Sequence, residues 1–197
     1  DRAAGTIAIG IQLKGQGSAD LAASKPGRVL SLLGPLGHGF TLPQSGPEQQ
    51  SFGPAPLLLA TGGGSGLFPL LFALQETRLQ GCRTAAVLGF RSRDRVVLAD
   101  SFRAVCSEGL TLATDDGSLG VRLSPAVAEN NRRAAEQAPV TVIACGPQPM
   151  LAAAAHWASA RHYACQVSLE ERMACGFGLC RTCACQITRD GRPEMLR

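Results

Sequence analysis

Residues 57–79 have the sequence LLLATGGGSGLFPLLFALQETRL, and this stretch decides the fold. Leu57–Ala60 is a short apolar run of the kind that forms a buried strand, and Leu67–Leu79 has the spacing of a helix. The glycine-rich Thr61–Gly66 leaves room only for a tight turn between them. A strand, a turn and a helix in this order indicate the start of a parallel sheet with helical crossovers.

The same pattern continues outward towards the carboxyl end. Further apolar runs occur at Thr84–Phe90, Leu110–Ala113, Val140–Cys145 and Ala164–Ser168, and a second stretch with helical spacing occurs at Met150–Arg161. Short apolar strands that alternate with helices are typical of a parallel sheet buried on both faces. We therefore predict an α/β domain over residues 56–168.

The first part of the chain has a different pattern. Thr6–Leu13 is rich in isoleucine with a period of two, and Arg28–Leu33 is a short apolar run before several glycines. No helical spacing is visible, so we predict that residues 1–42 are the end of an antiparallel sheet or barrel. Residues 43–55 are rich in Pro, Gln, Ser and Gly and are predicted to be a linker.

Composition excludes several classes of protein. The chain has 197 residues, of which 45% are hydrophobic and 17% are charged, so it can form a core. The net charge of +4 comes from scattered arginines and aromatic residues make up only 5%, which argues against nucleic-acid binding. No apolar stretch approaches the roughly 20 residues of a membrane span. With no visible signal peptide, and with clustered cysteines, we predict a cytoplasmic protein without membrane insertion.

Four of the eight cysteines lie close together near the carboxyl end. Cys175, Cys180 and Cys183 have the spacing C-x4-C-x2-C, which is typical of three ligands of a plant-type 2Fe-2S cluster. Gly176 and Gly178 allow the backbone to approach the inorganic sulfides. A fourth thiolate is required, and Cys185 lies too close to Cys183 to span a cluster. The alternative is a zinc knuckle built on Cys180, Cys183 and two other ligands. We predict an iron–sulfur segment over residues 169–197, with a strand at Ala184–Thr188.

Two turns are candidates for binding a nucleotide. Thr61–Gly66 places bare backbone N–H groups and a helix start at one point, which favours a phosphate. Pro69 stands where the usual dinucleotide fingerprint has its third glycine, so a purely structural turn is the alternative. Cys145-Gly146-Pro147 follows a predicted strand, at the sheet edge where ligands of α/β proteins bind, and Pro149 is predicted to lie in the first turn of the helix after it. Cys145 could equally be a small buried core residue. Asp115–Ser118 is predicted to be a turn, with a nucleotide contact as the alternative.

The order of these motifs resembles the electron transfer subunits of type B dihydroorotate dehydrogenases, in the ferredoxin–NADP reductase superfamily. The segments that carry the resemblance are Lys14–Ser18, Leu33–Phe40, Thr61–Gly66, Thr114–Ser118, Ala144–Met150 and Ser168–Cys180. Related hydrogenase and transhydrogenase subunits typically have Asp as the first cluster ligand. Cys175 at this position favours the dihydroorotate dehydrogenase branch.

The resemblance implies that the protein uses FAD, NAD and a 2Fe-2S cluster. It implies that Gly15, Gly17 and Ser18 meet the flavin pyrophosphate, and that Gly10, Ile11 and Gln12 line the flavin. The residues implied to hold the nicotinamide nucleotide are Thr61, Gly62, Gly63, Gly64, Gly66, Cys145, Gly146 and Pro147. Cys175, Cys180 and Cys183 would ligate iron. The family's Arg-Pro-x-Ser flavin motif and fourth cluster cysteine are expected to lie outside residues 1–197, so we expect an excerpt of a longer protein.

The resemblance also implies a partner, the FMN-containing catalytic subunit of dihydroorotate dehydrogenase, in a hetero-oligomer. Electrons would pass from the partner's FMN through the cluster and FAD to NAD⁺, during dihydroorotate oxidation in UMP synthesis. No residue of this chain is expected to act as a general acid or base. Two alternatives stay open. One is a reductase subunit that stands alone or belongs to the hydrogenase or transhydrogenase type, and the other is a non-enzymatic zinc-binding module.

Overall fold

The predicted parallel sheet is present in the computed structural model, which describes residues 4–45, 54–119, 139–189 and 192–196. Its strands are β1 (Leu57–Gly63), β2 (Arg83–Phe90), β3 (Gly109–Thr114), β4 (Val140–Cys145) and β5 (Ala164–Ser168). All neighbouring pairs are parallel, in the order β3-β2-β1-β4-β5. Two parts of the predicted organisation, linker residues 46–53 and residues 120–138 of the α/β domain, lie outside the described residues.

Helices cover both faces of this sheet. They are α2 (Leu67–Leu79), α3 (Ala99–Val105) and α4 (Gln148–Ser159), whereas α1 (Gln16–Ala22) has no buried residue. Alternate residues of β1 point to opposite faces, as the pleat of a strand requires. Leu58 and Ala60 join a core cluster with α2 and α3, whereas Leu57 and Leu59 join one with Trp157 and Ala158 of α4. The central strand is therefore buried on both sides, which explains its unbroken apolar run.

The buried positions of α2 follow the helical period. They are Leu67, Leu70, Ala73, Leu74 and Thr77, which form one stripe along the helix. The sequence predicts the bounds of this helix correctly. It does not predict α3, because only Phe102 of its seven residues is buried and no periodic pattern results.

The expectation of strands near the amino end is wrong for the described residues. No residue from 4 to 45 lies in a strand, and Gln16–Ala22 forms a helix instead. The Ser18 hydroxyl accepts the backbone N–H of Gly15 at 3.0 Å, so it caps the start of that helix. Thr6–Leu13 has the alternation of a strand in its sequence, but it joins neither sheet in the described part of the chain.

The cysteine segment contains a small antiparallel sheet. Its strands are β6 (Cys185–Arg189) and β7 (Arg192–Leu196), with Cys185 opposite Leu196. The predicted strand at Ala184–Thr188 is confirmed with a shift of one residue, and β7 was not predicted. A shift of this size is ordinary at strand ends.

The chain divides into two units. The first unit contains Asp1–Ala23 and Phe40–Ser168, and the second contains Ser24–Gly39 and Leu169–Arg197. The first unit holds the parallel sheet, and the second holds the antiparallel hairpin and the four clustered cysteines. Within the described part of the chain, no helix is long and apolar enough to cross a membrane.

Candidate functional site

The turn at Thr61–Gly66 is tighter than the sequence suggested. β1 continues through Gly63, three residues beyond the predicted end, and Gly64–Gly66 forms a single 3₁₀ turn. α2 begins at Leu67 without any intervening loop. The first N–H groups of α2 therefore lie at the carboxyl end of the central strand, where the helix dipole favours an anion.

Most glycines of this turn are required by packing. A Cβ atom at Gly66 would overlap the carbonyl group of Cys145, and one at Gly63 would lie 2.8 Å from the carbonyl oxygen of Gly89. A Cβ atom at Gly62 would lie 2.9 Å from the carbonyl oxygen of Cys145 and would overlap Leu70. These three glycines let two neighbouring strands and a helix approach one another, so their presence alone is no sign of a ligand.

Gly64 differs from the other glycines of the turn. A Cβ atom there would meet nothing within 4 Å, and its φ of +59° is a conformation that glycine adopts without strain. The backbone at Gly64 therefore borders open space at the start of α2. At this position a phosphate could approach main-chain N–H groups. Gly64 is therefore the glycine of this turn that is available to a ligand, whereas Gly62, Gly63 and Gly66 are needed for packing.

The Cys145 turn lies beside the glycine turn. Gly62 and Cys145 are register partners at the ends of β1 and β4. Because the strand order changes direction between β1 and β4, this edge is the topological switch point, where α/β sheets bind ligands. The sequence prediction that the two turns share one sheet edge is confirmed. Cys145 is only 3% exposed, so the packing interpretation of this residue also holds.

The two residues after Cys145 set the direction of α4. Gly146 has a φ of +153°, and a Cβ atom there would lie 3.1 Å from the backbone of Gly63 and would overlap Met150. Pro147 precedes the first residue of α4, and Pro149 lies in its first turn as predicted. Met150 thus packs between the two turns, a role that a single methionine in an apolar stretch does not reveal in sequence.

One of the predicted flavin-lining residues, Gly10, contacts the start of α2. The Phe68 ring, in the first turn of α2, lies directly on the backbone of Gly10, where a Cβ atom would overlap it. Phe68 is nevertheless 40% exposed. The structure therefore brings Gly10, and with it the segment through Ile11 and Gln12, to the start of α2. The sequence did not single out Phe68, since an aromatic residue in an apolar helix resembles a core position.

The residues predicted to meet the flavin pyrophosphate, Gly15, Gly17 and Ser18, lie at the start of α1. A Cβ atom at Gly15 or Gly17 would meet nothing within 4 Å, so the backbone is open there. The Ser18 hydroxyl is already engaged, because it accepts hydrogen bonds from the N–H groups of Lys14 at 2.9 Å and Gly15 at 3.0 Å. It also donates to the carbonyl oxygen of Gly15 at 2.8 Å.

The turn after β3 has the structure predicted for Asp115–Ser118. The N–H of Gly117 donates to the carbonyl oxygen of Thr114 at 3.2 Å, and the N–H of Ser118 donates to Asp116 at 2.9 Å. These hydrogen bonds with Ser118 hold the pKa of the Asp116 carboxyl below its ordinary value. The Ser118 hydroxyl also accepts the N–H of Arg93 at 2.9 Å, which connects this turn to the 3₁₀ turn Arg93–Arg95 after β2.

The cysteine loop is exposed and is shaped by local hydrogen bonds. The N–H of Cys180 donates to the Cys175 sulfur at 3.5 Å, and the Thr182 hydroxyl donates to the Cys180 sulfur at 3.2 Å. Gly176 and Gly178 have φ values of +76° and +86°, as expected for a loop that needs glycine. The structure thus brings two of the three predicted ligands together.

Hydrogen bonds also alter the acidity of this loop. Those from Thr182, with further ones at Cys175, lower the pKa of the Cys180 thiol to about 6. A low pKa favours the thiolate, which is the form that binds metal. Thr182 was not predicted, although a hydroxyl residue between two clustered cysteines is the signal that could have found it. In the described residues, no group of three or more metal-ligating side chains surrounds a single ion position. A 2Fe-2S cluster does not require one, because four cysteines share two irons.

Sequence comparison places this arrangement among known proteins. The chain is 32% identical over 191 residues to the dihydroorotate dehydrogenase B (NAD(+)) electron transfer subunit of Desulforamulus reducens, covering 97% of this chain and 69% of that protein. It is 37% identical over 190 residues to the subunit of the same name from Bacillus caldolyticus, covering 95% and 67%. The chain belongs to the family of dihydroorotate dehydrogenase B electron transfer subunits. It spans about two thirds of the length of these relatives.

The family resemblance drawn from the motifs is therefore confirmed, and with it the prediction of an oxidoreductase component. Another family member, from Geobacillus kaustophilus, is 35% identical over 190 residues, with 95% of this chain and 67% of that protein covered. No protein-family model matches the chain.

A solved structure supports the fold of this family member. The NADH-dependent reduced ferredoxin–NADP oxidoreductase superposes with a TM-score of 0.70 at 24% identity, over 93% of this chain and 62% of that chain. The mixed α/β fold with a parallel sheet is thus shared with a flavin-based oxidoreductase. At this identity the likeness concerns the fold alone.

Proposed function

We propose that this chain is the electron-carrying part of an NAD-dependent dihydroorotate dehydrogenase. In this role it takes electrons from the FMN of a catalytic subunit and delivers them to NAD⁺, as a step in UMP synthesis. Membership of the electron transfer subunit family carries the proposal. When bound, a 2Fe-2S cluster exchanges single electrons, a nicotinamide exchanges a hydride, and FAD can do both, which places FAD between them.

In this proposal the edge shared by β1 and β4 holds the nicotinamide nucleotide. Thr61 to Gly66 supplies backbone N–H groups and the start of α2, and the open face at Gly64 leaves room for a phosphate. Cys145, Gly146 and Pro147 border the site from β4. The buried Cys145 and the closely packed glycines exclude water from the base of the turn. These residues bind and orient, and none needs to transfer a proton.

The amino-terminal segment is proposed to hold the flavin. Gly10 lies against the Phe68 ring at the start of α2, so a flavin bound by Gly10, Ile11 and Gln12 would adjoin the nucleotide turn. The open backbone at Gly15 and Gly17 suits a pyrophosphate, and Ser18 fixes the turn through its hydrogen bonds. A short path between the two cofactor sites is what direct hydride transfer requires.

Iron is proposed to bind at Cys175, Cys180 and Cys183. The C-x4-C-x2-C donor set fits a plant-type 2Fe-2S cluster, and the lowered pKa of Cys180 favours the thiolate needed for iron. Thr182 holds that sulfur in place through its 3.2 Å hydrogen bond. The cluster requires a fourth ligand besides these three. We also propose a cytoplasmic location.

Cofactor analysis of the natural protein, purified without oxygen together with its catalytic subunit, tests this proposal. We expect about two irons and two acid-labile sulfides per chain, the content of one 2Fe-2S cluster, together with stoichiometric FAD. Zinc without sulfide would instead support the zinc-binding module. Iron, sulfide and FAD in a protein that never associates with a catalytic subunit would support the stand-alone reductase.

A further inference from the structure

A pair of hydrogen bonds joins two distant parts of the chain. The N–H of Thr41 donates to Oε1 of Gln166 at 2.8 Å, and Nε2 of Gln166 donates to the carbonyl oxygen of Thr41 at 2.8 Å. The side-chain amide thus satisfies both backbone groups of one residue, as a neighbouring strand would. We call this pair of hydrogen bonds the Gln166 clamp.

The residues around Thr41 are fixed at further points. Phe40 and Leu42 pack against the core cluster that includes α2, and the Cys82 thiol donates to the carbonyl oxygen of Pro43 at 3.5 Å. Phe40–Pro43 therefore lies along the first unit with its side chains and its backbone both engaged. Among these contacts, the Gln166 clamp is the one that connects the segment to β5.

The position of the clamp in the chain distinguishes it from an ordinary surface contact. The chain passes between the two units three times, at Ala23–Ser24, at Gly39–Phe40 and at Ser168–Leu169. Thr41 is the second residue of the first unit after the second crossing, and Gln166 is the third residue before the last crossing. A single side chain therefore joins two of the three connections to the second unit, which contains the cluster cysteines.

We propose that Gln166 is a positioning residue that fixes two of the three connections and thereby sets the rate of electron transfer to the cluster. This inference rests on the proposed function. A hydride from NADH carries two electrons to the flavin and leaves NAD⁺, and the cluster then accepts one electron from the reduced flavin. The nucleotide turn and the flavin segment Gly10–Ser18 lie within the first unit, so the first step does not depend on the clamp. The second step involves both units and does depend on it.

Two variants separate the two hydrogen bonds. Gln166→Leu removes both of them while retaining most of the side-chain volume. Gln166→Glu keeps the acceptor for the Thr41 N–H, but its carboxylate has no N–H to donate to the Thr41 carbonyl oxygen. Gln75→Leu, on the exposed side of α2, makes the same chemical change away from the clamp and serves as the matched control.

Three measurements on the natural protein, assembled with its catalytic subunit, test the proposal. In Gln166→Leu we expect hydrogen exchange at the Thr41 amide to be about fivefold faster, the effect of losing one ordinary hydrogen bond. After rapid mixing with NADH, we expect unchanged NADH affinity and an unchanged rate of flavin bleaching. We expect the reduced-cluster signal in electron paramagnetic resonance to appear roughly tenfold more slowly, since small misplacements of reacting groups cost rate steeply.

Gln166→Glu should give an intermediate rate of cluster reduction, and Gln75→Leu should match the parent protein in all three measurements. Faster exchange at Thr41 with an unchanged rate of cluster reduction would overturn the proposal. An equal fall in NADH affinity, flavin bleaching and cluster reduction would also overturn it, because it would show general damage to the first unit. Absence of flavin bleaching in the parent protein would instead contradict the proposed function.

Discussion

The glycine turn at Thr61–Gly66 and the cysteine loop at Cys175–Cys183 are both proposed to hold cofactors, yet they are held in different ways. Gly62 and Gly66 contact the end of β4 so closely that neither has room for a Cβ atom. In the loop, Gly176 and Gly178 border open space, and Cys180 is exposed. The turn is therefore shaped by the core of the sheet, whereas the loop depends on its own hydrogen bonds and on the ligand it binds.

This difference has a consequence for folding. A site built by the core exists before its ligand arrives, so its binding energy is not spent on ordering the protein. A loop without a core of its own gains its final structure from metal binding, as small metal sites commonly do. The predictions below break or sharpen this contrast, from the largest expected effect to the smallest.

The largest effect is expected at the cysteine loop. Replacing the Cys180 thiolate by a hydroxyl, in Cys180→Ser, should abolish cluster binding, because the thiolate is the iron ligand. The urea unfolding transition of the sheet should not move. Iron and sulfide analysis measures the first effect, and circular dichroism measures the second.

Cys185→Ser is the matched control for that change. Cys185 begins β6 and is not a proposed ligand, so iron and sulfide should stay at the parent level. Loss of the cluster in both variants, or in neither, would contradict the assignment of the three ligands.

The next effect is expected in the glycine turn. Gly66→Ala should lower the free energy of unfolding by about 3 kcal/mol, because the added methyl group overlaps the backbone of Cys145 and cannot be accommodated by a side-chain movement. Equilibrium unfolding in urea measures this change. Gly178→Ala, the same substitution in the cysteine loop, should leave the unfolding of the sheet unchanged. An equal loss in the two variants would remove the distinction between the regions.

A smaller and more specific effect is expected at Gly64. Gly64→Ala should weaken NADH binding about tenfold, or about 1.4 kcal/mol, because the methyl group enters the open space proposed for a phosphate. Isothermal titration calorimetry checks this value. The positive φ adds about 1 kcal/mol of backbone strain.

Gly81→Ala is the control for that strain. Gly81 has a φ of +77°, borders open space and lies just after α2, at the opposite end of that helix from the turn. The two variants should therefore lose similar stability, while only Gly64→Ala loses affinity. Unchanged NADH affinity in a folded Gly64→Ala protein would make the turn purely structural.

The smallest effect concerns an ion pair at the other end of the sheet. Nε and Nη2 of Arg83 donate to the two carboxylate oxygens of Glu108 at 2.9 Å each, and the two side chains are 24% and 26% exposed. Hydrogen bonding to Arg83 lowers the pKa of Glu108 below its ordinary value of 4.5. The pair therefore stabilises the fold above pH 4.5, and this contribution is lost as the pH falls through the lowered value.

Glu108→Gln should accordingly reduce the free energy of unfolding by about 1 kcal/mol at neutral pH. The difference from the parent should disappear in acid, where Glu108 is protonated. Asp100→Asn is the control, since Asp100 and Arg103 form an ion pair with 98% and 60% exposed side chains. That variant should change stability by much less. A difference that persists unchanged in acid would contradict the role of the Glu108 charge.

The contrast between the core of the sheet and the cysteine loop also explains how much of the structure could be predicted from sequence. The sheet was predictable because its apolar runs reflect burial, and the bounds of α2 follow from its buried stripe. The end of β1 was not predictable. Gly62 and Gly63 continue the pairing with β2, although glycine residues usually indicate a turn. Pairing is a property of neighbouring strands and leaves no signal in the strand itself.

The amino-terminal segment shows the opposite error. Thr6–Leu13 has the alternation of a strand, but a strand forms only where pairing with a neighbour is repeated along it, and this stretch joins neither sheet in the described part of the chain. The proposed iron ligands of the cysteine loop could be predicted from sequence, because a plant-type 2Fe-2S cluster requires the spacing C-x4-C-x2-C. The role of Thr182 was not, because it arises from the local course of the loop.

The central claim is that this chain carries electrons from a partner to NAD⁺. Mixing the natural protein with its FMN-containing catalytic subunit, and following NADH absorbance after adding dihydroorotate, tests this claim most directly. We expect NAD⁺ reduction that requires both subunits and that Cys180→Ser abolishes, together with a complex on size-exclusion chromatography. Equally fast NAD⁺ reduction by the catalytic subunit alone, or failure of the two proteins to associate, would contradict the account.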